Sequence, residues 1–237
     1  MEERYFKINS DNIKHNKFSL ARSESAHFIN SLRGKTNDMI CLLDGSGRAY
    51  KSKITSINED LVSGVIQEEI LNYGESRFDI NLVIGMIKGS RMDMIIEKAT
   101  ELGVKSIQPI MFDRCIKKKI NIERAQRIIE SAAKQSGRSF FPKILPVSKL
   151  NNWISENTLN INILCHINGS DFLKGVLIND KKSYNIIIGP EGDFSDSELN
   201  TLDKIKPITI NLGPRRLRSE TSAIVGLANL NQQILNY

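Results

Sequence analysis

Cysteine is scarce in this chain. Cys41, Cys115 and Cys165 are the 3 cysteines among 237 residues. They lie too far apart for a C-x-x-C motif, and no His-rich spacing joins them, so neither a metal site nor a disulfide frame is expected. They read as buried thiols. With 15 Gly and 6 Pro the chain is neither collagen-like nor a low-complexity polymer. No apolar run approaches the roughly 20 residues that span a bilayer. The opening MEERYFKINSDNIKHNKF has no signal-peptide apolar core. A cytoplasmic protein without a membrane segment is the expectation.

What is present is ordinary globular material, 40% hydrophobic and 25% charged, in a length that suits one or two domains. The net charge is +6. It is unevenly placed: residues 1–72 carry 10 basic and 10 acidic side chains, residues 73–237 carry 23 and 17. All the excess is therefore in the second part. That is compatible with a polyanionic partner, but common enough to be weak evidence by itself.

Hydrophobic rhythm divides the chain at the same place. Residues 1–72 read as short alternating strands, at Arg4–Ile8, Met39–Leu43, Tyr50–Ile57 and Leu61–Ile70, with the turn Asp44-Gly45-Ser46-Gly47. One helix, Glu24–Arg33, interrupts them, with Ser23 as its cap. A small β-barrel is predicted, ending at a polar linker around Asn72–Ser76. Residues 73–237 alternate apolar strands (Ile80–Met86, Ser106–Met111, Asn162–His166, Tyr184–Ile188, Pro207–Leu212) with helices (Met92–Leu102, Asn121–Gln135, Ser195–Ile205, Ser219–Leu235). That alternation predicts an α/β domain with a parallel sheet covered on both faces. Ligands of such sheets sit beyond the carboxyl ends of the strands.

Two loops there stand out. Gly189-Pro190-Glu191-Gly192-Asp193-Phe194 follows one strand, and Leu212-Gly213-Pro214-Arg215-Arg216-Leu217-Arg218-Ser219-Glu220-Thr221 follows the next. Glycine admits another backbone or a flat ligand and proline sets the turn. Neither loop is a dinucleotide fingerprint or a nucleoside-triphosphate phosphate loop.

These loops, together with Lys88-Gly89-Ser90-Arg91-Met92-Asp93, Glu97-Lys98-Ala99-Thr100-Glu101-Leu102-Gly103-Val104 and Gln135-Ser136-Gly137-Arg138, resemble the ribosomal RNA small subunit methyltransferase E family. The likeness runs through nearly the whole chain. The first part is similar to that family's PUA-like, RNA-binding barrel through Arg4-Tyr5-Phe6, His27, Leu32-Arg33 and Asp44-Gly45-Ser46-Gly47. The resemblance implies a SPOUT-type parallel sheet with a C-terminal deep trefoil knot, a homodimer, and S-adenosyl-L-methionine as cofactor. It implies methylation of uridine N3 in small-subunit (16S) ribosomal RNA, so the partner is ribosomal RNA or the small ribosomal subunit. Cofactor contacts are implied for Gly189, Pro190, Glu191, Gly192, Leu212, Gly213, Leu217 and Arg218, with His166 and Ile167 at a strand end beside them. The sequence departs from the family pattern at Asp193, where another glycine is usual, and at Arg216, where an apolar residue is usual.

Uridine N3 carries a proton that must leave as the methyl bond forms, and negative charge then spreads onto the flanking carbonyl oxygens. A cation near those oxygens and a proton acceptor are required. Arg218 suits the first role, because a guanidinium stays charged and its fork matches a carbonyl edge. Glu220 is the candidate acceptor and Glu191 the alternative. Phosphate contacts are expected from Arg114, the Lys117-Lys118-Lys119 run, Arg138 and Arg216, and on the barrel from Arg4, Arg22, Arg33 and Lys35. Gly213→Val is expected to abolish cofactor binding by crowding its loop. Two other readings remain open: a related SPOUT methyltransferase with another target atom, and a non-catalytic RNA-binding or ribosome-assembly protein.

Overall fold

A computed structural model describes residues 4–117, 119–157, 160–171 and 183–235. Lys118 lies outside the described residues. The chain forms two compact units, Met1–Ser76 with Glu130–Phe141, and Arg77–Ile129 with Pro142–Tyr237.

The first unit is built on a six-stranded sheet in the order β1-β4-β5-β6-β3-β2. Its strands are β1 (Tyr5–Lys7), β2 (Ile13–Lys14), β3 (Lys17–Ser19), β4 (Met39–Leu43), β5 (Arg48–Asn58) and β6 (Leu61–Leu71). β1 runs parallel to β4 and the other pairs are antiparallel, a mixed sheet consistent with a barrel-like domain. Phe6, Phe18, Phe28, Leu42 and Ile54 fill its core. The strands β2 and β3 were not expected from sequence, being only 2 and 3 residues long.

The helix of this unit starts earlier than its pattern suggests. α1 (Arg22–Ala26) has Ala21 at its N-cap with no side-chain cap bond, so Ser23 is inside the helix and is not its cap. The chain then widens into a π turn, His27–Ser31, where Leu32 N–H reaches back five residues to His27 O at 3.2 Å. That wider turn keeps Phe28 buried edge-on to Phe6, with ring centroids 5.7 Å apart.

A buried ion pair closes the unit. Arg138 donates from Nη2 to Glu75 Oε2 at 2.7 Å and from Nε to Oε1 at 3.2 Å, and Phe140 N–H adds a third bond to Oε1 at 3.0 Å. The two side chains are 2% and 1% exposed. Arg138 was expected to meet phosphate; its guanidinium is instead committed to a carboxylate inside the protein, which corrects that expectation.

The second unit carries β7 (Asp79–Gly85), α2 (Ser90–Glu101), β8 (Ser106–Met111), α3 (Ile122–Gln135), β9 (Lys143–Ile144), β10 (Ser148–Lys149) and α4 (Leu150–Glu156). These are followed by β11 (Ile161–Asp171), β12 (Ser183–Ile188), α5 (Asp196–Leu202), β13 (Ile208–Asn211) and α6 (Ser219–Leu235). From Glu130 onward, α3 counts with the first unit. The sheet order is β10-β8-β7-β12-β11-β13, β9 pairs with β8, and every pairing is parallel. The α/β fold with a parallel sheet is thus as the alternation predicts. Its strands are buried almost end to end, as expected where helices cover both faces. α2 turns Met92, Ile95, Ile96 and Ala99 inward, the stripe its spacing predicts.

A row of asparagines sets the register at the amino-terminal side of this sheet. Asn81 on β7, Asn185 on β12 and Asn162 on β11 are directly paired across the ladder. Asn81 Nδ2 donates to Asn185 Oδ1 at 3.2 Å, and Asn185 Nδ2 donates to Asn162 Oδ1 at 2.9 Å. Ser106 Oγ ends the row by donating to Asn81 Oδ1 at 2.7 Å. A one-residue slip of any strand would bury unpaired amides, so the row selects one alignment.

Removing one partner of a buried pair strands the other. Arg138→Ala is expected to lower stability by about 3–5 kcal/mol, read by urea denaturation. A loss within about 0.5 kcal/mol, the size of an ordinary surface substitution, would mean that the pair is not buried as described.

Candidate active site

Strand order creates the site. In sequence β13 follows β12, yet in space β13 lies beside β11, so the chain leaving β12 crosses beyond β11 before rejoining the sheet. The loops that end β12 and β13 therefore stand on either side of the end of β11. Between them is a cavity of about 420 Å³. Its wall includes Gly189, Pro190 and Glu191 from one loop, Leu212, Gly213, Leu217 and Arg218 from the other, and His166 and Ile167 from β11. The structure thus brings together all the residues expected at the cofactor except Gly192, which is not part of the lining. Gly192 contributes its carbonyl, which accepts from Arg114 Nη1 at 2.8 Å.

β11 supplies its share by bulging. Ile210 of β13 faces both Cys165 and Ser170, so residues 166–169 are looped out of the ladder. Gly169 makes this possible: a Cβ there would lie 2.4 Å from the Ile210 carbonyl carbon, closer than any side chain can come. Asn211 then ties the bulge to the next loop. Its Nδ2 donates to Ile167 O at 2.6 Å, and its Oδ1 accepts from Gly213 N–H at 2.8 Å. Sequence reading passed over Asn211 as the last residue of a strand; a polar side chain just before Leu-Gly-Pro was the available signal.

The loop conformations account for two sequence features. Gly213 has φ +127°, a backbone region that L side chains avoid, and no atom of the described residues would lie within 4 Å of a Cβ there. Crowding is thus not what requires glycine at this position, contrary to the expectation for Gly213→Val; backbone strain is. Asp193, standing where the family pattern has glycine, has φ +63°. Aspartate tolerates this left-handed conformation, and its Oδ1 accepts the Phe194 N–H at 2.9 Å while its own N–H closes a turn onto Pro190 O at 3.0 Å. The Phe194 ring packs edge-on to Phe112, 5.1 Å between centroids.

Charge is concentrated at one side of the cavity. Arg91, at the start of α2, lines it and donates from Nη1 to Glu191 Oε1. Glu220, in the first turn of α6, is 9% exposed. Its Oε1 lies 3.9 Å from Arg91 Nε and 4.0 Å from Arg218 Nη1. Its Oε2 is buried without a hydrogen-bond partner among the described residues. Arg218 itself has a side chain 75% exposed at the mouth. Arg216 is exposed on the same wall. Arg91 was a motif residue with no expected role.

Cys165 lies at the base of the cavity, its Sγ 3.4 Å from where a Cβ on Gly226 of α6 would stand. Burial pushes its thiol up to about 12. The remaining expected RNA contacts are dispersed. Arg114 is exposed beside Gly192, and Lys117 is half-buried. In the first unit Arg4 Nη1 and the Lys35 N–H meet on Asp38 Oδ2, at 3.3 and 3.0 Å, with exposed Arg33 two residues from Lys35. Arg22 is exposed at the start of α1.

The family model of the RNA methyltransferase domain matches residues 74–231, which places the chain among RNA methyltransferase domains. More narrowly, the chain belongs to the ribosomal RNA small subunit methyltransferase E family. It is 31% identical over 227 residues to that protein of Buchnera aphidicola, covering 93% of this chain and 90% of the relative. It is 28% identical over 230 residues to the one of Rickettsia conorii, covering 94% and 93%. The crystal structure of the Neisseria gonorrhoeae protein of the same name, bound to S-adenosyl methionine, superposes with a TM-score of 0.86 at 28% identity over 98% of both chains.

A thiol held near 12 stays protonated at neutral pH, whereas an unperturbed one titrates near 8.5. Alkylation of Cys165 by iodoacetamide at pH 8 is therefore expected to be about 10³-fold slower than that of a free cysteine, and to rise with pH toward 12. Peptide mapping by mass spectrometry reads this; labelling at an ordinary rate would put the thiol in water.

Proposed function

We propose that this protein methylates N3 of a uridine in small-subunit (16S) ribosomal RNA with S-adenosylmethionine as methyl donor. The observation that carries the reading is Arg218 on the wall of a cavity bounded by the two glycine-proline loops, with the half-paired Glu220 directly behind it. The cavity suits such a donor in three respects. Its volume is within the range of small-molecule sites, at about 300–1,000 Å³. Gly189 and Gly213 leave backbone bare along its wall. Glu191 places a carboxylate on that wall for the donor's positive charge, beside the Arg91 guanidinium.

When bound, S-adenosylmethionine supplies a methyl group on a sulfonium, whose C–S bonding pair returns to sulfur as the methyl leaves. His166, Ile167, Gly189, Pro190, Glu191, Leu212, Gly213 and Leu217 hold it, and Gly192 fixes the loop from behind through Arg114. Arg218 donates to the uracil carbonyl oxygens, where charge collects as N3 loses its proton. Glu220 takes that proton, Glu191 being the alternative acceptor. Since N3 is on the pairing edge, the uridine must be unpaired or turned out of its helix.

The finer architecture belongs to the same reading. The crossing of β12 to β13 beyond β11 supports a SPOUT fold with a deep trefoil knot, and the mixed sheet of residues 1–72 supports a PUA-like, RNA-binding barrel. Arg4, Arg22, Arg33 and Lys35 on the first unit, and Arg114, Lys117 and Arg216 on the second, are the proposed phosphate contacts. The protein would act as a homodimer in the cytoplasm.

An N3 methyl blocks base pairing, so deleting the gene is expected to remove a reverse-transcription stop from small-subunit ribosomal RNA. Wild type should restore it, while Arg218→Ala should lower the methylation rate about 10²-fold. A stop indifferent to deletion, or a digest whose lost nucleoside is methylated at another atom, would overturn the uridine N3 assignment. Gly213→Val, with a β-branched residue at φ +127°, is expected to weaken donor binding at least about tenfold by calorimetry. Undiminished affinity would remove this loop from the donor site.

A further inference from the structure

Glu191 lines the cavity, and Glu220 stands just behind the lining residues Arg218 and Ser219 in the first turn of α6; a proton acceptor needs only one of the two. Their surroundings differ. Glu191 has an oxygen engaged directly by the Arg91 guanidinium. Glu220 has Oε1 facing two guanidinium groups, Arg91 at 3.9 Å and Arg218 at 4.0 Å, too far for hydrogen bonds but near enough for attraction. Its Oε2 is buried with no donor among the described residues. A buried carboxylate oxygen without a donor is costly unless a ligand supplies one.

Arg91 links the three site elements: it stands on α2, binds the loop after β12, and faces the first turn of α6. Its planar fork serves two carboxylates at a fixed angle, an orientation that a lysine ammonium does not impose. We propose that Arg91 is a positioning residue that assigns the proton-accepting role between the two carboxylates, an inference that rests on the reading of this site as a uridine N3-methyltransferase. By holding Glu191 in a charge-assisted bond it keeps that side chain on the donor-binding loop. By facing Oε1 of Glu220 it leaves Oε2 as the acceptor atom. In the step so assigned, the N3–H bond breaks, an O–H bond forms at Glu220 Oε2, and the pair left on N3 is the one that takes the methyl group.

The test compares Arg91→Gln, Arg91→Lys, Glu191→Gln and Glu220→Gln on ribosomal RNA substrate, with donor affinity by calorimetry and melting temperature measured alongside. Glu220→Gln is expected to lower kcat about 10²-fold or more, while Glu191→Gln shows its loss mainly in donor affinity. Arg91→Gln is expected to lower kcat about tenfold, with KM for RNA within about threefold of wild type and donor affinity weakened no more than in Glu191→Gln. Arg91→Lys should recover part of that kcat, and it is the informative variant should Arg91→Gln fail to fold. A loss in Arg91→Gln confined to donor Kd or melting temperature would make Arg91 a strut for the loop and overturn the proposal, as would unchanged kcat. Wild type that methylates RNA at an atom other than uridine N3 would overturn the functional reading itself, and the Arg91 assignment with it.

Discussion

The site depends on one constraint, that β11 pairs in parallel with β12 on one side and β13 on the other. A strand so enclosed has no free edge, so its end can approach a ligand only by leaving the ladder. It does so through the bulge at residues 166–169, which exists because Gly169 lets the Ile210 backbone pass where a Cβ would stand. The same pairing sets the ends of β12 and β13 apart by the width of one strand, and that gap is the cavity. Asn211 then couples bulge and loop through two short hydrogen bonds, so the two walls are held to one another.

Within that frame, charge is arranged with little redundancy. Arg91, Arg218, Glu191 and Glu220 form a chain of alternating sign along one side of the cavity. Three of the four are partly open to water, where ion pairs contribute little to stability. The fourth, Glu220, is nearly enclosed and only half satisfied, an arrangement that folding alone gives no reason to keep. The Arg138–Glu75 pair is the contrasting case. It is more deeply buried, both carboxylate oxygens accept hydrogen bonds, and it serves the first unit's structure.

Much of the fold was legible because the signals were local. The limits of β4, β8 and α6 agree with their apolar runs, and the stripe on α2 follows its helical spacing. The errors have physical causes too. Ser23 resembles a cap, yet Ala21 holds that position, and the Glu24 carboxylate accepts from the Lys7 N–H at 3.2 Å and Lys134 Nζ at 2.6 Å, contacts with segments that the local pattern does not contain. β2 and β3 are too short for alternation to register, and β11 runs on past His166 because its bulge interrupts the pattern. Arg138 read as a phosphate ligand, since nothing in its own neighbourhood along the chain announces a carboxylate 63 residues away.

By itself the sequence determined which segments become strands and helices, where glycine and proline bend the chain, and which family the motifs belong to. Each of those depends on residues within a few positions of one another. Tertiary structure alone decided that β13 lies beyond β11, that Asn211 braces the bulge, and that Arg91 faces two carboxylates at once. These are pairings between distant segments, selected by register, burial and close backbone approach, and a one-dimensional pattern of apolar and polar residues carries no record of them.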